Sequence, residues 1–427
     1  MTPCRTDTQR GEPYCGQNMA SKTSLAALIG TPKAQSRARR GRSGTPSDEE
    51  PRAERLPPPG PEPQPDPRAR RLASLDAFRG LAIVGMLLVN NVALDTATPR
   101  PLTHAPWNGG VYFADLVYPW FLLIVGVAIP FSMASHRARG LPLWRYDLKI
   151  LTRAVTLVLL GCLIDSSLIK RPTFDLGVLQ QIGLAYLVGA FLCELSPLRR
   201  LGAAAGFLVA HWAAIRFLPI PGVGAGVFTE RTNFIHYVNR LYLQPVSLRG
   251  LISLVPMSAL VLIGTVIGDS LRRETRARVR KAAHLLVGGL VLAGIGALWN
   301  LDLPFNKSVW TASYVLFSAG LGAVVLALLY LLVDVAGWRF VAFPLVVFGA
   351  NAMMAYVTPI LVKIDILQEW KWRMPGGSLL SLQDALLHYC FAHAGRIPGG
   401  WLYTIGYILF WWLVLLYMYV KRVFWRV

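Results

Sequence analysis

A histidine and a carboxylate, His104 and Asp115, lie on either side of a turn-forming run in "THAPWNGGVYFADLVYPWF". Pro106 and the Asn108-Gly109 pair are residues that reverse a chain sharply. They can swing the imidazole back toward the helix that Asp115 begins. A histidine beside a carboxylate is the usual equipment of a general base or a nucleophile, because the acid fixes the tautomer and stabilises the imidazolium. The bland alternative is an exposed loop histidine and a helix-start acid accepting backbone N–H groups. Spacing alone leaves both readings open.

Other polar residues interrupt apolar runs, where each must be satisfied or used. Asp76 and Arg79, three apart in "SLDAFRGLAIVGMLLVNN", share one helix face. They fit an anchoring ion pair or a site for a charged ligand. Asn90 and Asn91 end the same run. Gln180 and Gln181 are adjacent in "DLGVLQQIGLAY", so one of them must face a neighbouring helix. Asn351 lies within "FGANAMMAY". Amides of this kind can bridge helices; together they suggest a polar cavity in the outer half of a membrane. No phosphate-cradling glycine loop, zinc spacing or serine elbow is found. His388, Cys390 and His393 in "HYCFAH" are not read as a metal site, and the five cysteines are not read as a disulfide framework.

The elements that must position these residues are membrane helices. The chain has 427 residues, 54% of them hydrophobic and only 15% charged. About ten apolar segments have near-spanning length: 75–95, 111–134, 150–168, 177–195, 202–219, 250–269, 283–300, 310–334, 343–362 and 402–420. The fold class is therefore all-α, a polytopic membrane helix bundle of about ten transmembrane helices. The net charge of +20 is not a nucleic-acid footprint, because it sits in short clusters between spans. One set of alternating connections holds "HRARGLPLWRYDLK", "SPLRR", "RRETRARVRK" and "KRVFWRV". That set is expected in the cytoplasm, with both termini. The other set includes the long connections 220–249 and 363–401, candidates for a lid or vestibule. Trp120, Trp310, Trp401 and Trp425 are expected as interfacial anchors. Residues 1–70 are expected to be a disordered, Arg/Pro-rich cytoplasmic tail, and 71–427 the membrane domain.

Five stretches in order, "RLASLDAFRGLAIVGMLLVN", "HAPWNGGVYFADLVYPWF", "GVLQQIGLAYL", "NKSVWTASYVLFSAG" and "KRVFWRV", resemble the heparan-alpha-glucosaminide N-acetyltransferase family. The resemblance implies a multispanning acetyltransferase with His104 as its active-site histidine and Asp115 as its partner. Acetyl would pass from cytoplasmic acetyl-CoA, with no metal, to the amino group of a glucosamine-type sugar on the far side. Asn90, Asn108, Gln180 and Asn351 would contact substrate; Asp76, Arg79 and Arg153 would serve the donor. The large lumenal N-terminal domain of the animal members has no counterpart here, which implies a bacterial inner-membrane relative acting on an amino sugar or envelope glycan. Membrane lipid is the expected surrounding, and a homodimer is compatible. O-acylation of an envelope polysaccharide, and transport or flipping of a sugar-linked substrate, are the alternatives.

Overall fold

The computed structural model describes residues 72–273, 277–373, 377 and 379–425; the segment 1–70 lies outside them. The helices follow in order: α1 Ala73–Asn91, α2 Phe113–Ala138, α3 Leu143–Ile169, α4 Val178–Leu192, α5 Pro197–Phe217, α6 Phe234–Val238, α7 Leu254–Arg272. After them come α8 Arg278–Trp299, α9 Ala312–Leu329, α10 Arg339–Ala350, α11 Ala352–Val362, α12 Leu382–Ala394 and α13 Arg396–Val420. A short antiparallel hairpin, β1 Lys371–Arg373 with β2 Leu379–Ser381, pairs Trp372 with Leu380 before α12.

Helices cover all ten segments expected to span, but they are not equivalent. Six are long and apolar enough to cross a bilayer: α1, α2, α7, α8, α9 continued to Val335, and α13. The pair α10–α11 qualifies jointly as a seventh, bent by 66° at its break. The expectation of about ten is therefore met by six or seven. Helix α4 has 15 residues, roughly 22 Å at 1.5 Å per residue, short of a ~30 Å hydrocarbon core. Helix α5 carries Arg199, Arg200, His211 and Arg216, and α3 carries Arg145, Asp147, Lys149, Arg153 and Asp165.

Burial separates the centre from the periphery. The apolar window of α2 is 78% buried and that of α7 72%, whereas those of α8 and α13 are 28% buried. Helices α2 and α7 touch along their backbones. A Cβ on Gly126 would collide with the Val261 carbonyl, and one on Gly264 with that of Leu123. Two supposed interfacial anchors belong to this centre instead. Trp120 is 6% exposed, packs near Phe78 and Phe113, and donates its indole N–H to the Ser318 carbonyl at 3.2 Å. Trp310 is 5% exposed and stands edge-on to Tyr118 and Tyr314. In both cases ring packing inside the bundle outweighs an interfacial position.

Contacts between connections sort the bundle into two ends. At the basic end, Asp334 accepts the Ala73 and Ser74 amides at 3.2 and 3.1 Å, Arg137 meets Glu194 at 3.4 Å, and Arg200 is buried against Asp269. Asn351 belongs here too: its side-chain N–H donates to the Val423 carbonyl at 3.0 Å, and its oxygen accepts from the Trp425 amide at 3.0 Å. At the other end lie the α1–α2, α3–α4, α5–α7, α8–α9 and α11–α13 connections. Lys170 to Asp365 at 2.8 Å and Lys307 to His104 at 3.1 Å are among their ties.

Candidate active site

Helix α2 begins with its own acid. Asp115 sits at the third helical position, and its Oδ2 accepts the backbone N–H of Tyr112 at 3.2 Å and of Ala105 at 3.1 Å. These bonds satisfy helix-end and loop donors that would otherwise lack partners. The other carboxylate oxygen, Oδ1, lies 2.8 Å from His104 Nδ1. The two readings left open by the sequence are thus both realised by one side chain: the acid caps the helix and also holds the imidazole. The turn between them forms as its residues require. The Gly109 amide donates to the Pro106 carbonyl at 2.8 Å, and Asn108 takes the left-handed conformation at φ 56°.

The carboxylate is sealed from below. Its side chain is 3% exposed while that of His104 is 57% exposed. Tyr314, buried in α9, donates its hydroxyl to the Asp115 carbonyl at 2.6 Å. A cation that the sequence reading did not single out completes the group. Lys307 Nζ lies 3.5 Å from Asp115 Oδ1 and 3.1 Å from His104 Nδ1. An ammonium only donates, so Nδ1 cannot both accept from Lys307 and donate to Asp115. The fully buried carboxylate, at the shorter distance, selects N–H at Nδ1. Lys307 then serves as the counter-charge of Asp115. Burial pulls its ammonium below the ordinary lysine value, and Asp115 pulls in the opposite direction. With Nδ1 committed, Nε2 is the nitrogen left to accept a proton, and no partner is found for it among the described residues.

The loop carrying Lys307 is fixed to the loop carrying His104. Asn306, 4% exposed, accepts the Ser308 and Val309 amides at 3.0 and 3.3 Å, and its side-chain N–H reaches Asn108 Oδ1 at 3.4 Å. Beside these loops opens a cavity of about 800 Å³. Trp107 from the histidine loop and Ser308, Val309 and Trp310 from the lysine loop form one wall. The connection 220–249 supplies another, including Glu230, His236 and Arg240. Asp165 of α3, Asp175 of the α3–α4 connection and Gln181 of α4 add polar groups. The indole N–H of Trp107 is buried without a protein partner, leaving a donor available to a polar ligand.

The remaining sequence candidates divide sharply. Gln180 is fully buried and donates to Asp165 Oδ2 at 2.7 Å, so it braces a cavity carboxylate; Gly161 of α3 leaves the room its amide needs. Asn108 is exposed in the turn and held by Asn306. Asn90 is exposed at the end of α1, and its carbonyl accepts from Lys363 at 2.8 Å; it lines a second, smaller cavity. Asn351 is not in the outer half with these residues, as its place at the basic end shows, because the break between α10 and α11 lets its amide take up the C-terminal segment. Asp76 and Arg79 form the expected one-turn ion pair at 3.0 Å, and Arg79 also reaches the Gly349 carbonyl at 3.3 Å. Arg153 lies over the Tyr186 ring at 4.7 Å, with its Nε unpartnered. No group of three or more His, Cys, Asp or Glu able to hold a metal is found among the described residues.

Sequence comparison adds the family context. The sequence model of the heparan-alpha-glucosaminide N-acetyltransferase catalytic family matches residues 71–300, which include both His104 and Asp115. The heparan-alpha-glucosaminide N-acetyltransferase of Homo sapiens is 26% identical over 427 aligned positions, covering 84% of this chain and 60% of the relative. That of Mus musculus is 27% identical over 430, covering 84% and 61%. The chain thus spans about 60% of the length of these curated relatives.

Proposed function

The chain belongs to the heparan-alpha-glucosaminide N-acetyltransferase family, and from that premise we propose that it is an integral-membrane enzyme that acetylates the amino group of a glucosamine-type sugar or envelope glycan, with acetyl-CoA as donor. The observation that carries the reading is the His104–Asp115–Lys307 group, carried on two loops whose neighbouring residues Trp107 and Ser308 line a polar cavity, with Nε2 turned to neither protein partner.

Aminolysis of a thioester requires an unprotonated amine, an oriented carbonyl and a place for the departing proton. His104 Nε2 supplies the base. As the amine nitrogen bonds to the acetyl carbon, its proton passes to Nε2, and Asp115 stabilises the resulting imidazolium through Nδ1–H. The carbon–sulfur bond then breaks, and the CoA thiolate leaves and takes up a proton. The same Nε2 can instead receive the acetyl group first and hand it to the amine. Accumulation of acetyl label on His104 without acceptor distinguishes that order. The 800 Å³ cavity has the volume and polarity for the acceptor, with Asp165, held by Gln180, available to its hydroxyls and amine.

The basic connections support a cytoplasmic basic end and an outward-facing histidine end, in a multi-pass protein of a bacterial inner membrane. Of the residues expected to serve the donor, Arg79 is engaged by Asp76 and Gly349. Arg153, with an unpartnered Nε and with Lys149 beside it, is the better phosphate ligand. The pantetheine arm would then run between helices across a ~30 Å hydrocarbon core.

Sealed vesicles of both orientations test this reading, with labelled acetyl-CoA on one face and glucosamine on the other. Labelled N-acetylglucosamine formed only when donor meets the basic end and acceptor the histidine end supports transmembrane transfer. Ester-linked label points to O-acylation, and uptake of unmodified sugar points to transport.

A further inference from the structure

The second cavity, about 230 Å³, lies at the histidine end between the C-terminal end of α1, the end of α11 and the pair α12–α13. Its lining contains three polar atoms that are buried without a protein partner: Asn91 Oδ1, Gln383 Oε1 and Tyr403 Oη. Asn91 and Tyr403 are each 7% exposed. Natural proteins leave few such groups unsatisfied, and three around one cavity mark a place where something else supplies the hydrogen bonds.

The chemistry of the orphans selects the ligand. Asn91 donates a side-chain N–H to the Leu87 carbonyl at 2.8 Å, and its unpartnered atom is the oxygen; that of Gln383 is likewise an amide oxygen. Two of the three orphan atoms are therefore pure acceptors, and the phenol can donate or accept. Their complement is a set of hydroxyl donors. A cationic donor is disfavoured, because Lys363 lines the same space with its ammonium already bound to the Asn90 carbonyl at 2.8 Å. Asp95, the acid in the lining, is committed to Arg396 at 3.2 Å. Leu387 and Phe391 give the cavity an apolar wall suited to the C–H face of a pyranose. The volume is below the roughly 300–1,000 Å³ of pockets for drug-sized ligands, which fits a single ring.

We propose that this cavity is a binding site for one neutral sugar residue, separate from the cavity beside His104. The inference stands independently of the acetyl-transfer reading, since it uses none of the residues of that chemistry. Asn90 is then a wall of this sugar pocket, and the connection 363–401, through Lys363, Gln383 and Phe391, forms much of the rest.

The test is saturation-transfer NMR and equilibrium dialysis with methyl β-glucopyranoside, which has no amine to acetylate. The full chain is held in lipid nanodiscs, because maltoside detergents carry the same hydroxyls. Saturable binding of one sugar per chain is expected. Tyr403→Phe, which removes a single oxygen, should weaken it at least fivefold, and Gln383→Met should do the same. His104→Ala and Asp165→Asn should leave it unchanged, while His104→Ala lowers any acetyl transfer about 10²–10⁴-fold. Absence of saturable binding would mean that the cavity holds water only and overturns the proposal. Binding insensitive to both Tyr403→Phe and Gln383→Met, or lost in Asp165→Asn, overturns it as well by placing the sugar in the larger cavity.

Discussion

Asp115 and Asp269 are both acids of membrane helices that meet cations, one at each end of the bundle, and their surroundings differ in one respect. At the basic end, Asp269 of α7 faces Arg200 of α5, a guanidinium only 2% exposed, with Cys193 against it at 3.6 Å. Arg200 is enclosed, Asp269 is only part-buried and also meets Arg272 at 3.7 Å, and the pair joins two helices. At the histidine end the burial is reversed: the carboxylate is the deep partner, and the ring it holds is more than half exposed. The same ingredients make a fastener when the cation is wrapped between helices, and a poised base when the ring is left open beside a cavity.

Four substitutions sharpen or break that contrast. His104→Ala should lower acetyl transfer about 10²–10⁴-fold, the usual range for losing a general base. Its melting temperature in nanodiscs should stay within a degree or two, since the ring is exposed. Transfer at the wild-type rate would remove the histidine from the chemistry. Arg200→Ala should do the reverse and destabilise the bundle by about 3 kcal/mol, the low end for a broken buried pair, because it leaves the part-buried Asp269 with Arg272 alone at 3.7 Å. Transfer per folded molecule should persist, as measured by activity normalised to the monodisperse fraction. Asp115→Asn keeps the shape and both backbone bonds but turns an amide N–H toward Nδ1. About a 10²-fold loss of kcat with little change in KM is expected, with a smaller stability loss than in Arg200→Ala. Equal destabilisation by these two variants would mean that the ends do not differ in kind.

The smallest effect belongs to Lys307→Met, about tenfold in kcat/KM, and its signature is the pH profile. Burial, the larger cause, lowers the lysine pKa, and Asp115 only partly restores it. As pH rises, the ammonium is therefore lost before an ordinary lysine would lose its proton, and Asp115 loses its second cation. The wild type should show an alkaline fall in kcat/KM beginning below the usual ~10.4 of lysine, and Lys307→Met should lack it. An identical alkaline limb in both proteins would assign it to another group.

Much of this was legible in the sequence because it is local. A Pro/Asn-Gly turn between His104 and Asp115 can fold the chain back on itself, so their pairing was one of the two readings that the sequence offered. The helices follow from apolar length. Lys307 was not legible, since it meets His104 from 203 positions away, and only the packing of α9 against α2 brings it there. Its presence at the head of "NKSVWTASY" was the one available signal. Asn351 was misplaced because a mid-run amide looks intramembrane, whereas the chain breaks there and spends that amide on its own C-terminal segment. The tryptophans misled for a related reason, since position along a span says nothing about which side of the helix faces lipid.

The direct backbone contact of α2 with α7 at Gly126 and Gly264 has a mechanical corollary. The imidazole is held by Asp115 in the first turn of a strut that has no slack against its neighbour and is pinned at its tip by the Tyr314 phenol. Helix α10–α11, jointed by 66° at Asn351, is where the hydrogen-bond ladder is already interrupted and flexing costs least. Any rearrangement of the bundle costs least on that side, while the histidine is held on the stiffer one.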